Sequence, residues 1–266
     1  MKTLVTLLCL TFVLAACGNE PASDTAAVAD SDTAIAELSI YAAAVADNSR
    51  LEADYARDAG RKPEQVLEFF GVEPGMTVLD MFAGGGYYTE LVSHVVGSEG
   101  HVVSHSNEAY LNFVGEKFKQ RYAAGRLPNV DVLMAENNEL SLKEAEFDAI
   151  LLVLAYHDTY WSSPENGWEA IDVPKFLAEL SKGLKADGFI GIVDHYAAPG
   201  TARESGGAVH RIDRAIVIAD MEAAGFTCEA TSDLLRNRND DYSKTVFDPE
   251  VRGKTDRFIL RFRKTG

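Results

Sequence analysis

Two neighbouring pairs in this chain could move protons: His157-Asp158, inside Tyr156-His157-Asp158, and Asp194-His195, followed by Tyr196. Imidazole titrates near neutral pH, and a carboxylate beside it can orient the ring, so such pairs suit a general base. His157, backed by Asp158, is the first candidate for that role and His195 the second; capping of strand ends is an equally open use for either. With Asp194 and His210, the same side chains could gather a divalent metal, although no tight His-x-x-x-His spacing supports it. Tyr156, Tyr160, Trp161 and Trp168 could wall an apolar acceptor pocket or simply fill space. Arg211, Arg214, Arg236 and Arg238 could hold an anionic group or lie on a solvated face. A second feature is Gly84-Gly85-Gly86, where missing side chains permit positive φ and close approach of a ligand to the backbone.

These residues need elements to position them, and the hydrophobic period alternates along the chain. Segments 76–82, 101–106, 130–134, 147–154 and 189–193 read as buried strands, and 50–61, 64–70, 87–96, 109–124, 173–184 and 210–224 as helices. Pro63 suits the first turn of the second of those helices. Strand and helix in alternation predict a mostly parallel sheet covered on both faces. The last two strands, 227–232 and 257–263, are joined by a polar loop without a helix, which predicts one reversed strand. Both His–Asp pairs then fall just beyond strand ends, where open parallel sheets bind ligands.

The three glycines sit where the first strand turns into the next helix, so that helix's free N–H groups face the turn. Val78-Leu79-Asp80-Met81-Phe82-Ala83-Gly84-Gly85-Gly86 resembles motif I of class I S-adenosylmethionine-dependent methyltransferases, over roughly residues 63–264. Gly-Gly-Gly-Tyr-Tyr-Thr with the later Tyr-His-Asp and Asp-His segments is also similar to a group of bacterial predicted methyltransferases. The resemblance implies a Rossmann-like α/β fold with a seven-stranded, mostly parallel sheet, its last strand antiparallel, and S-adenosylmethionine as cofactor. It implies that Asp80 meets the amino-acid portion of the cofactor and that Phe82, Ala83, Gly84 and Gly86 run beneath it. Ser106 or Asn107 stands where the family holds the ribose, and Glu136 or Asn137 where it holds adenine. Phe82 replaces the family's usual first glycine, and the acid expected at the ribose position is absent.

The beginning of the chain reads as an address. Residues 1–16 place Lys2 before an apolar run and small residues, the form of a secretory signal. Leu14-Ala15-Ala16-Cys17 resembles the lipobox of bacterial lipoproteins, which implies cleavage before Cys17 and its lipidation. Gly18, in place of the aspartate tied to inner-membrane retention in some bacteria, points toward the outer membrane, with the domain facing the periplasm. Residues 17–45 then form an acidic tether, with a short helix conceivable over 35–46, and residues 46–266 the folded domain. The three cysteines are Cys9, Cys17 and Cys228, so once the signal leaves and Cys17 carries lipid, Cys228 is a lone core thiol. The chain of 266 residues carries 41 acidic and 25 basic side chains, a net charge of -16 that disfavours nucleic-acid phosphates.

The expected function is methyl transfer from S-adenosylmethionine to a small or membrane-associated acceptor. The alternative is a non-catalytic or metal-dependent envelope lipoprotein that reuses the same fold.

Overall fold

The computed structural model describes residues 38–123 and 125–265, with the side chains of 205 and 206 left aside. Cys17 and most of the tether lie outside the described residues. In chain order the helices and strands are α1 (Ile40–Ala46), α2 (Glu52–Arg61), α3 (Pro63–Phe70), β1 (Thr77–Met81), α4 (Tyr87–Val96) and β2 (His101–Ser106). There follow α5 (Glu108–Val114), α6 (Glu116–Arg121), β3 (Val130–Met134), β4 (Phe147–Val153), α7 (Val173–Gly183) and β5 (Leu184–His195). The last are α8 (Gly206–Val209), α9 (Arg214–Ala223), β6 (Phe226–Ser232) and β7 (Arg257–Lys264).

The seven strands form one sheet in the order β3-β2-β1-β4-β5-β7-β6. β1 to β5 pair in parallel, and β7 runs antiparallel to both β5 and β6, as the helix-free connection requires. The class I methyltransferase-like α/β fold expected from the sequence is therefore present.

Each central strand is apolar on both faces because successive side chains alternate between two cores. Ile150 and Leu152 of β4, Ile190 and Ile192 of β5, and Phe258, Leu260 and Phe262 of β7 face α7 and α9. Ala149, Leu151, Phe189, Val193 and Ile259 face α3 and α4. At Gly191 of β5 a side chain would come within 2.9 Å of Phe70, so glycine there lets α3 sit flush on the sheet.

Several boundaries differ from the sequence expectation. The strand expected at 189–193 runs from Leu184 to His195, because pairing with β7 continues through Asp194 and His195, so that pair ends the strand and does not lie beyond it. The helix expected over 109–124 breaks at Gly115, whose φ of 55° and ψ of -128° leave the helical region. The helix expected from His210 begins at Arg214, because Asp213 caps the free N–H of Ala215. α1 packs on α3 and α4 with Ala44 buried, so residues assigned to the tether belong to the folded body.

Candidate functional site

The strand ends place a cavity of about 140 Å³ at the carboxyl edge of the sheet. Its lining comes from Phe82 after β1, Asn107 after β2, Asn137 after β3 and Asp158 after β4, with Trp161 and Trp168 opposite. Four segments far apart in sequence thus meet because their strands end on one side, the usual ligand position in such sheets.

At this edge, besides Nδ1 of His105, two polar atoms are buried and make no hydrogen bond: Ser106 Oγ and Asn137 Oδ1. Orphaned buried groups are costly and uncommon, and a binding site is one setting in which the missing partner is a ligand. They fall on the positions that the family resemblance assigned to ribose and adenine. Asn107 Oδ1 is otherwise engaged, capping α5 through the Tyr110 N–H at 2.9 Å. Glu136 lines the same cavity and accepts from the Glu108 N–H at 3.4 Å.

The glycine turn is positioned as expected, with α4 opening directly after it. Phe82 adopts the positive φ, 53°, that a glycine would take without strain. Its ring stacks between Tyr110 and Phe176, with centroids 5.5 Å from each. Gly84 faces Val114, and a side chain at Gly86 would meet Arg121 Cγ and Tyr122 Oη at 2.7 Å. The clearance at Gly86 is thus used by the end of α6, a packing reason for glycine that the motif did not reveal. Arg121 closes this region through Asp54 of α2 and Glu90 of α4, and its Nε donates to the Gly85 carbonyl at 2.9 Å. Charges along 50–61 join this network: Asp54 is buried, and Arg50, buried ahead of α2, forks onto Asp58 at 2.8 and 2.9 Å.

Asp80 lies inside, on the α4 face of β1, and accepts from Thr89 Oγ1 at 2.6 Å. Burial raises its pKa to about 6, against the opposing hydrogen bonds from Thr89 and the pull of Arg61 and Arg121. His105, at the end of β2, meets the Ala135 carbonyl at 2.9 Å through Nε2, and burial lowers its pKa to about 4, so the ring is neutral.

The two His–Asp pairs do come together, but not as sequence neighbours suggest. Asp194, fully buried at the end of β5, serves His157: Oδ2 accepts the His157 backbone N–H at 2.7 Å and Oδ1 faces Nδ1 at 2.8 Å. His157 Nε2 lies 3.2 Å from Asp158 Oδ1. Burial opposes charge on this ring, yet Asp194 and Asp158 outweigh it and raise the pKa to about 10. Asp158 also meets His210 Nδ1 at 3.3 Å and accepts from the Tyr110 hydroxyl. His195 stands 5.8 Å from the His157 ring, with Nδ1 on Thr255 Oγ1 at 2.7 Å. Burial and the charges of His157 and three arginines hold its pKa well below the ordinary value, so it is neutral. Of the three, only Asp158 lines the cavity.

Trp161 and Trp168 form a wall with centroids 4.7 Å apart, whereas Tyr156 and Tyr160 turn to Asp220. Arg211 and Arg236, open to holding an anion or lying on a solvated face, do neither: they are forked onto Asp240 and Asp256. Arg61 was not singled out for binding: its guanidinium sits 4.6 Å above the Tyr87 ring and makes no hydrogen bond among the described residues. Tyr110 reaches Asp158, and Thr255 reaches His195, from two other segments, and no local spacing announces them. Cys228 is free and half-buried, its thiol pKa raised by burial.

Comparison with known proteins agrees with the fold. The sequence model of the protein-L-isoaspartate(D-aspartate) O-methyltransferase family matches residues 56–159. Ubiquinone/menaquinone biosynthesis C-methyltransferase UbiE of Shewanella woodyi is 33% identical over 33% of this chain and 34% of its own length. The same enzyme of Idiomarina loihiensis is 30% identical over 48% of this chain and 46% of its own length. The chain thus spans between a third and a half of these curated relatives. Among solved structures, a SAM-dependent methyltransferase from Aquifex aeolicus covers 77% of this chain and 97% of its own at 24% identity and a TM-score of 0.52. An S-adenosylmethionine-dependent methyltransferase from Mesorhizobium loti covers 78% and 100% at 13% identity and a TM-score of 0.53. The [4+2]-cyclase SpnF covers 82% and 85% at 17% identity and a TM-score of 0.52. These matches support the methyltransferase resemblance, while the cyclase is a reminder that the fold leaves the reaction to the site.

Proposed function

We propose that the chain is an S-adenosylmethionine-dependent methyltransferase acting on a small or membrane-associated acceptor. The observation that carries this reading is the pair of unbonded buried atoms, Ser106 Oγ and Asn137 Oδ1, at the carboxyl edge of the sheet where the nucleoside would lie. S-adenosylmethionine is the cofactor that the family match and the methyltransferase neighbours imply. When bound it supplies a methyl group on a positively charged sulfur. Ser106 and Asn107 would hold its ribose, Glu136 and Asn137 its adenine, and the Asp80–Gly86 turn its amino-acid end.

Methyl transfer needs chiefly alignment of donor and acceptor, which a rigid cavity provides. Trp161 and Trp168 offer an apolar wall for the acceptor, and Asp158 a carboxylate fixed by Tyr110. His157, clamped between Asp158 and Asp194, positions Asp158; His195, held by Thr255, offers a neutral imidazole behind it. We extend the reading to the cell envelope, with lipid on Cys17 as the anchor; no helix among the described residues is long and apolar enough to cross a membrane. Mass spectrometry of membrane-extracted protein, comparing the native chain with Cys17→Ser, tests the anchor, and a native mass that carries no added acyl groups would refute it.

Calorimetric titration of the purified full chain with S-adenosylhomocysteine tests the main reading. One site per chain is expected, and no heat of binding at millimolar ligand would sink it.

A further inference from the structure

Beyond the cofactor cleft, we propose that His157, Asp158 and His210 bind one divalent cation of the zinc class, placed at the acceptor end of the cavity. This deepens the methyltransferase reading above by giving its acceptor a chemical class.

The donor atoms are already spaced for an ion. Asp158 Oδ1 lies 3.2 Å from His157 Nε2 and 3.3 Å from His210 Nδ1, and one ligand atom from each of the three residues falls within 4.8 Å of the others. Ligands at the roughly 2.0–2.1 Å bond lengths of tetrahedral zinc stand about 3.4 Å apart. A cation could therefore enter between these atoms with little rearrangement.

The surroundings are those of a metal-binding histidine. Asp194 holds Nδ1 of His157 at 2.8 Å and its backbone N–H at 2.7 Å, which aims Nε2 at Asp158. A carboxylate on the far nitrogen is the common way to orient a ligating imidazole. Asp158 is steadied in turn by the Tyr110 hydroxyl. The His210 ring is wedged between Trp161 and Phe247, at centroid distances of 5.7 and 4.8 Å. Two imidazoles and one carboxylate suit zinc and other late divalent metals over magnesium or calcium.

Three protein ligands leave a coordination position vacant, the pattern of catalytic rather than structural zinc. Since Asp158 lines the cavity, that position opens toward the tryptophan wall. An acceptor with an oxygen donor, a hydroxyl or a carboxylate, is the class such an ion would orient.

The test uses the full chain, stripped with a chelator and titrated with Co²⁺, read by the visible absorption of low-symmetry cobalt and by elemental analysis after zinc loading. One equivalent is expected in the native protein. His210→Ala and Asp158→Asn should each weaken uptake by more than the roughly 10–100-fold that losing an orienting partner costs. His101→Ala, which removes an exposed histidine paired with Asp131 on the far end of β2, should leave uptake unchanged. Should Asp158→Asn fail to fold, His210→Ala decides alone. Less than one equivalent in the native chain, or equal uptake by His210→Ala, overturns the site. Titration of the same samples with S-adenosylhomocysteine separates the two ideas. Cobalt uptake without nucleoside binding supports the site and fails the methyltransferase reading; nucleoside binding without cobalt uptake fails the site.

Discussion

Asp194 grips His157 twice, through the backbone N–H at 2.7 Å and the ring at 2.8 Å, although 37 residues separate them. The first contact fixes where the turn after β4 begins, and the second fixes the rotation of the ring. Both groups are buried, so neither has water to replace the other. Asp194→Ala should therefore lower stability by about 3–5 kcal/mol, the cost of leaving one member of a buried pair alone. The check is a urea unfolding midpoint at constant slope; a loss under about 1 kcal/mol would show that the pair is dispensable.

Asn137 is predicted to separate binding from stability. Its Oδ1 is buried and unbonded, so Asn137→Ala removes an unsatisfied group and should leave the unfolding midpoint unchanged or raised. Affinity for S-adenosylhomocysteine should fall, by about 0.5–1.5 kcal/mol or roughly 2- to 12-fold. Lower stability with unchanged affinity would make Asn137 a structural residue.

Asp80 should leave a mark on the pH dependence of folding. Its folded pKa of about 6 exceeds the ordinary 3.8, so between those values the folded state binds more protons than the unfolded state. Stability on this account falls as pH rises from 3.8 through about 6, by an amount on the order of 2–3 kcal/mol. Asp80→Asn should flatten that segment of the profile, seen as a smaller difference between unfolding midpoints at the two ends. An identical slope in the variant would mean that the carboxyl is not held neutral.

Phe82 sets backbone strain against packing. Glycine at this position would relieve the positive φ of 53°, worth about 1–2 kcal/mol, but would delete a ring stacked on Tyr110 and Phe176. Loss of a buried phenylalanine costs about 3–5 kcal/mol, so Phe82→Gly should be destabilised by about 1–4 kcal/mol. Thermal unfolding decides the sign, and a more stable variant would show that strain dominates.

Much of the fold was legible because it rests on local period. Segments 101–106 and 130–134 were read to the residue, since buried strands and their flanking turns are short-range patterns. The reversed strand followed from a missing helix. What local pattern could not supply was the break at Gly115, where a glycine inside an amphipathic run takes a φ of 55° that side chains rarely adopt, with open space around it.

The sequence by itself determined the alternating α/β order, the glycine turn after β1, and the placing of His157 and Asp158 beyond β4, whereas His195 proved to be the last residue of β5. It also marked Ser106 and Asn137, through their places after β2 and β3. Only the tertiary structure decided which charges meet. Asp158 was adjacent to His157 in sequence, yet the carboxylate that orients the ring is Asp194; His210 and Tyr110 arrive from 52 and 48 residues away. Arg211 and Arg236 looked free and are neutralised by Asp240 and Asp256 from the same long loop region. Hydrophobic period is written along the chain and survives in a one-dimensional reading. Charge pairing depends on separation in space and on burial, and those exist only once the sheet has brought its strand ends together.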